Sequence, residues 1–260
     1  MRISKYCIHT NKSGSNLRLA VVSDLHARPF EKVLQAIKSI KPDAILFPGD
    51  ILEVTISQFA KRNQMGMEFL ALVSTIAPCY YCYGNHELYN SAHKAATDPC
   101  LDEERRNEIQ KMGIHLINDN YEALENYNAI KIGGYVCGRE MPDLPFAEPN
   151  QISKIKELEN SDGFKILLCH YPHYYEKYFK HSNFDLILSG HAHGGQWRLF
   201  GRGIFAPHQG LFPKYTSGVH DKRHIISRGA VNNAKPIPRL FNPCEVLCID
   251  IIHTEKGLPQ

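Results

Sequence analysis

Apolar and polar positions fall in short alternating blocks along this chain, and the block lengths fit strands and helices in turn. The run 17-LRLAVVSDLH-26 is rich in β-branched residues and closes on polar ones, as a buried strand does. In 31-EKVLQAIKSI-40 the apolar side chains fall at 33, 34, 37 and 40, which is helical spacing. A second strand, 44-AILFPGD-50, ends in Gly-Asp; a helix is predicted over 58–76, and 79-CYYCYGNHE-87 reads as a third strand. Residues 88–112 are polar and charged, with a helix predicted from about 102 to 112. Short strands follow at 114–117 and 129–136, then a Pro-containing loop at 141–150. The alternation resumes with a helix over 151–159, the strand 164-FKILLCH-170, a helix over 173–181 and the strand 184-FDLILSGHAH-193. From 196 onward Gly and Pro dominate, with strand-like runs at 223–227 and 245–252.

This alternation argues an α/β fold. The strands share a second regularity: one after another ends in Asp, His or Asn. In open α/β sheets, sites collect outside the carboxyl ends of the strands. Collected in order, the strand-end residues are Asp24, His26, Asp50, Asn85, His86, His170, His191 and His193. They are oxygen and nitrogen donors without a thiolate, a set that suits Mn, Fe, Zn, Co or Ni. Seven ligands beside His86 exceed what one catalytic ion takes and match two ions sharing a carboxylate. Such a pair can bind a phosphoryl group, generate hydroxide at neutral pH and stabilise both entering and leaving oxygens. Glycines at 49, 84, 190, 194 and 195 flank these residues, where they permit tight turns and close approach to the backbone. Taken singly, each residue has a plainer reading: Asp24 and Asp50 as turn or cap residues, Gly84-Asn85 as a turn, the HxH as a surface pair. Their joint occurrence at strand ends outweighs that reading.

Composition narrows the classes. A hydrophobic fraction of 43% and a charged fraction of 22% are those of a globular chain, and a net charge of +3 makes no case for nucleic acid. Eight cysteines lie mostly in apolar, strand-like runs, so a disulfide framework is not expected; Cys79 and Cys82 have zinc-knuckle spacing without a second CxxC. The first residues carry no apolar leader segment, and the longest uncharged run, 69–85, is split by Pro78 and short of the ~20 apolar residues of a membrane span. The expectation is a soluble, cytoplasmic protein.

Asp24-x-His26, Gly49-Asp50, Gly84-Asn85-His86-Glu87, His170 and Gly190-His191-x-His193 resemble, in order and spacing, the motif series of the calcineurin-like metallophosphoesterases. The longer 190-GHAHGGQ-196 with 209-QGLFPKYTSG-218 is similar to the bacterial YkuE-like and YaeI-like subfamily. The resemblance implies one domain over 1–260, a four-layer sandwich of two mixed β-sheets flanked by helices, with a specificity insertion around 88–112. It implies two divalent metal ions, manganese foremost in vitro: Asp24, His26 and His193 on one, Asn85, His170 and His191 on the other, Asp50 bridging. Hydroxide between the ions would attack phosphorus in line, and His86 would face the leaving oxygen. Many members carry Asp after that histidine; here Glu87 stands there, expected to hydrogen-bond His86 and to act with it in catalysis.

The function so implied is hydrolysis of phosphate esters, phosphodiester or pyrophosphate bonds foremost, in a small phosphorylated substrate such as a lipid-linked or nucleotide-sugar phosphate. A protein phosphatase is disfavoured because 49-GDILEV-54 and 83-YGNHEL-88 lack the phosphate-clamping arginines of GDxVDRG and RGNHE. The alternative from another class is a metal-binding scaffold without catalysis. No nucleic-acid partner is expected. The segment 196–239 holds Arg198, Arg202, Lys214, Lys222, Arg223, Arg228, Lys235 and Arg239 against one acid, Asp221, and so offers a surface for extra phosphates or peripheral contact with an anionic membrane. His93, His173 and His208 are left as candidates to line the cleft.

Overall fold

In a computed structural model, described over residues 1–53, 60–88, 103–136, 148–232 and 237–255, two six-stranded mixed sheets stack face to face. The first sheet is ordered β1 (Arg2–Thr10), β16 (Glu245–His253), β2 (Leu17–Val21), β3 (Ala44–Phe47), β4 (Cys79–Tyr81), β5 (Ile114–Leu116). The second is ordered β14 (Gly218–His220), β15 (His224–Ile226), β9 (Leu186–Ser189), β8 (Phe164–Cys169), β7 (Tyr127–Tyr135), β6 (Asn120–Leu124). Strands β2 to β5 run parallel, as do β7, β8, β9 and β15; β16 is antiparallel to β2.

The layering follows from the period-two alternation of side chains along a strand. Leu17, Leu19 and Val21 of β2, Leu46 of β3 and Tyr80 of β4 meet Ile130, Ile166, Leu168 and Leu188 of the second sheet in one core between the sheets. The intervening residues, Ala20, Ile45, Phe47 and Tyr81, face the other way and pack with Val33 and Ile37 of α1 (Glu31–Ile40) and Phe69 and Val73 of α2 (Ala60–Ser74). On the far side, Leu167 and Cys169 of β8 pack with Ile155 and Leu158 of α5 (Ser153–Asn160). Apolar residues on both faces are therefore used, which is why the inner strands read as unbroken hydrophobic runs. The result is the helix–sheet–sheet–helix sandwich that the family resemblance implies.

Differences lie at the ends and edges. The strands stop three to six residues earlier than the sequence reading has them, at Val21, Phe47 and Tyr81, and the polar tails become loops or, at Asn85–Leu88, the single helical turn α3. Strand β1 lacks a sequence counterpart, because as an edge strand it is largely exposed and has no apolar run; its partner β16 lies at the other end of the chain. The helix expected over 173–181 is a wide π-type turn, Tyr175–Phe179. Arg223 accounts for its ending: its guanidinium donates to the carbonyls of Phe179, Lys180, Ser182 and Phe184 at 2.5–2.9 Å. Between β9 and β14 the Gly-rich stretch forms two small hairpins, β10 (Arg198–Leu199) with β11 (Arg202–Gly203), and β12 (Phe205–Ala206) with β13 (Gly210–Leu211). Within the expected insertion 88–112, α4 (Glu103–Lys111) is a helix, while residues 89–102, with His93, lie outside the described residues, as do Lys235 and 137–147 of the loop before α5. No described helix is long and apolar enough to cross a membrane.

Candidate metal centre

The carboxyl ends of β2, β3 and β4, adjacent in one sheet, and of β8 and β9, adjacent in the other, converge at one end of the sandwich. The connecting backbone is unusual there. Asp24, His26, Asp50, His191 and His193 all have φ between 46° and 65°. Non-glycine residues seldom adopt this left-handed region, and a cluster of them marks a place where the fold overrides local preference. Backbone bonds lock the loops together: Asp24 N donates to Gly49 O at 3.1 Å, and His26 N to Asp50 O at 2.9 Å.

Two carboxylates occupy the middle. Asp24 accepts the His191 N–H at 2.9 Å and the Ser23 hydroxyl at 2.6 Å. Asp50 accepts the His86 N–H on Oδ1 at 2.9 Å, leaving Oδ2 3.1 Å from His170 Nε2, 3.9 Å from His26 Nε2 and 4.0 Å from His86 Nε2. Glycine is required beside both carboxylates. A Cβ on Gly190 would stand 2.5 Å from Asp24 Oδ2, and one on Gly84 would overlap Asp50 Oδ1. At these two positions it is the carboxylates that need the backbone so close, rather than a substrate.

Donor atoms gather into three sets, each within 4.8 Å: Asp24, His26 and His193; Asp50, His170 and His191; and His26, Glu53 and His86. The structure thus brings the sequence-derived aspartates and histidines, His86 included, into these sets, whereas Glu87 stands in none of them. Asn85 is buried in α3 beside His86, and its Oδ1 has no hydrogen-bond partner; neither has the buried Nε2 of His191. Buried polar atoms without partners are costly, and two Lewis bases left so are what a cation would satisfy. His170 presents Nε2 because its Nδ1–H donates to Pro48 O at 2.7 Å, the backbone anchoring usual for a metal-binding imidazole. The donor set, all nitrogen and oxygen, fits divalent metal ions.

The electrostatics bear the same mark. Burial alone would raise the Asp50 carboxyl, but His170, His86 and His26 around it hold it well below the ordinary range. Burial, reinforced by neighbouring imidazoles, keeps His191 neutral far below its usual pKa, and His193 is lowered to about 3 chiefly by burial. Metal-ligating imidazoles have to be neutral. His86 goes the other way, raised to about 9: burial opposes the charge, and Asp50 and Glu53 outweigh it.

Glu87 corrects the sequence reading. Its fully buried carboxylate accepts the N–H groups of Asp50 (2.9 Å), Gly84 (2.8 Å) and Leu52 (2.9 Å) and the Tyr81 hydroxyl (2.5 Å). Both oxygens are committed to joining the β3 and β4 loops, and His86 is instead held by Glu53, Nδ1 to Oε2 at 2.9 Å. The other Glu53 oxygen lies 3.3 Å from His26 Nδ1, and Asn63 of α2 fixes the Glu53 backbone from both sides. Glu53 was missed because nothing in its sequence neighbourhood signals chemistry; the one cue was its place three residues after Asp50, on the same loop.

The basic segment also differs from its sequence reading. Arg198, Arg223 and Arg239 are turned inward onto backbone carbonyls, and Arg228 lies 3.9 Å from Glu245. Arg239 Nη2 stands 3.1 Å from His193 Nδ1, which makes it a site neighbour rather than a surface charge. His208 and His173 do line the cleft: His208 stacks 5.3 Å from His191 and 5.6 Å from His173, and Tyr171 packs 4.3 Å from His191. Cys79 and Cys82 are buried and fill core space.

Comparison with known proteins agrees with the geometry. The calcineurin-like phosphoesterase family profile matches residues 17–195, from the first strand of the site to its last glycine. An uncharacterised metallophosphoesterase of Aquifex aeolicus is 27% identical over 96% of this chain and 92% of its own length. The uncharacterised metallophosphoesterase YkuE of Bacillus subtilis is 25% identical over 90% of this chain and 81% of its own. One from Campylobacter jejuni is 25% identical over 91% of the chain, which spans 59% of that longer relative. With a profile match over most of its length and the motif residues drawn to one end of a double sheet, the chain belongs to the calcineurin-like phosphoesterase family and is a metal-dependent phosphoesterase.

Proposed function

We propose that this protein hydrolyses phosphodiester or pyrophosphate bonds at a two-ion centre, with Asp24, His26 and His193 holding one ion, Asn85, His170 and His191 the other, and Asp50 between them. The observation that carries this reading is the position of Asp50, whose Oδ2 faces both histidine groups, with His170 at 3.1 Å on one side and His26 at 3.9 Å on the other. When bound, two divalent ions such as manganese supply Lewis acidity towards phosphoryl oxygens and a hydroxide nucleophile at neutral pH. The residues of the chain do the rest. The Asp50 and Asp24 carboxylates are oriented by backbone N–H groups before any ligand arrives, so no reorganisation is needed at the moment of reaction. His86, its Nδ1 tied to Glu53, keeps its side chain 30% exposed to the cleft, where its Nε2 can meet the leaving oxygen and give it a proton.

The diester reading, with one negative charge on the phosphate against two on a monoester, is supported by what flanks the cleft among the described residues. A monoester dianion calls for a fixed cationic clamp. Here the flanking side chains are Tyr171, His173 and His208, and the nearby Arg239 is engaged with the carbonyls of Arg228 and Val231. The test is turnover of an aryl phosphodiester beside its monoester after reconstitution with manganese, with Asp50→Ala as control. Diester turnover lost in the control supports the proposal; preference for the monoester removes the diester reading. Two bound ions without turnover of either would return the scaffold reading.

A further inference from the structure

Of the twelve large hydrophobic side chains that are exposed among the described residues, ten lie between 197 and 241. They are concentrated on the two hairpins and the 237–241 stretch beside them. Phe200, at the β10–β11 turn, is 96% exposed, Phe241 85%, Phe212 72% and Leu211 70%. Three of these tips carry a phenylalanine in left-handed backbone, with φ of 48° at Phe200, 51° at Phe212 and 53° at Phe241. An aromatic residue there is an outlier where Gly or Asn would relieve the strain, and all three rings remain largely exposed. An apolar patch of this size needs a covering phase.

Part of this surface forms a groove, and the segment is tied to the metal centre. Leu199, Phe200, Ile204 and Phe212 line one apolar groove of about 340 Å³, with Arg202 at its wall. Arg198 N donates to Leu240 O and Trp197 Nε1 to Pro238 O, joining the hairpins to the 237–241 stretch. Asn242, next to Phe241, donates to the carbonyl of His193 at 2.7 Å. Arg202 and Lys222 are exposed on the same segment, and the Lys214 side chain is 63% exposed although it shares Glu176 with Lys180; the segment's one acid, Asp221, is bonded to the Tyr175 hydroxyl.

We infer that the 197–241 hairpins are a membrane-docking surface, which inserts phenylalanine tips into the interfacial region of a bilayer bearing anionic headgroups and holds the mouth of the metal centre against it. Side chains standing singly on turns suit a fluid phase that closes around each of them; a rigid protein partner would need a matching pocket for each ring. The sparse cations at the rim add attraction to anionic lipid. This surface is independent of which ester the centre hydrolyses.

Trp197, the only tryptophan of the chain, lies within the patch and provides the probe. The metal-loaded full chain is mixed with phosphatidylcholine vesicles, with and without phosphatidylglycerol, and followed by emission wavelength, quenching by brominated acyl chains and sedimentation. The expected result is a blue shift, quenching and co-sedimentation, all stronger with phosphatidylglycerol. Phe200→Ser with Phe212→Ser should lower the bound fraction at least about tenfold, from loss of two inserted rings. Lipid-free turnover of an aryl phosphodiester and the thermal midpoint should stay unchanged. Emission unmoved by either vesicle, or a dimer in light scattering that the double variant dissolves, would overturn the inference, the second result in favour of a second copy of the chain.

Discussion

Glu87→Gln separates two views of the residue that follows His86. In the structure the Glu87 carboxylate accepts three backbone N–H groups and one hydroxyl without contacting the His86 ring. A carboxamide keeps the shape but has one acceptor oxygen. Its better orientation leaves the oxygen on the Asp50 and Gly84 N–H groups and turns the NH2 towards Tyr81, whose hydroxyl can rotate to accept. The Leu52 N–H is then stranded in the core against another donor. One buried donor without a partner, formerly bonded to a charged group, costs about 2 kcal/mol, within a range of roughly 1–3. Glu87→Ala strands all three N–H groups and opens a cavity, for about 3–6 kcal/mol. Urea unfolding of the metal-free protein measures both, with the expected order wild type, Gln, Ala. If Gln is as stable as wild type while aryl-ester turnover collapses, Glu87 serves His86 in catalysis and the structural assignment is wrong.

Glu53→Gln should lower turnover by about 10–100-fold with a folded, partly metal-loaded protein, because it loosens the His86 and His26 imidazoles together; metal analysis beside kcat checks this, and unchanged kcat would remove Glu53 from the site. Gly84→Ala should cost metal affinity more than Gly113→Ala costs it, since a Cβ at 84 meets Asp50 Oδ1 whereas one at 113 meets nothing within 4 Å, although its positive φ brings its own strain; titration with manganese compares them. His224 is buried beside Ser189, Tyr175, Tyr215, His220 and Arg223, and desolvation first, then His220 and Arg223, hold its pKa well below 6.5. The unfolded chain therefore takes up the proton first as pH falls, so stability is intact above about pH 6.5 and drains away below it. The unfolding midpoint in urea should drop between pH 7 and 5, and His224→Gln should flatten that drop; an equal slope in the variant would assign the acid sensitivity elsewhere.

The inner strands and the ligand order were legible in sequence because each is written locally: a strand buried on both faces is an apolar run, and a ligand at its end follows within four residues. What links them is not local. Glu87 and Glu53 are both acids near a histidine, and only the positions of the Asp50, Gly84 and Leu52 N–H groups show which of them holds the loops and which holds the imidazole. The same applies to β1, recognisable only beside β16 from the far end of the chain. The basic segment was legible only in part: its charges suggest a surface for anions, yet four of its arginines turn inward to carbonyls, to Glu245 or to His193 and act as struts, while Arg202, Lys214 and Lys222 stay exposed. Charge in sequence says nothing of where a long side chain ends, since its stem can lie along the fold while the head finds a buried acceptor. The phenylalanines between those arginines invite the opposite error, for they look like core. At turns held in left-handed backbone they have no core to reach, and the surface that results is apolar first and cationic second.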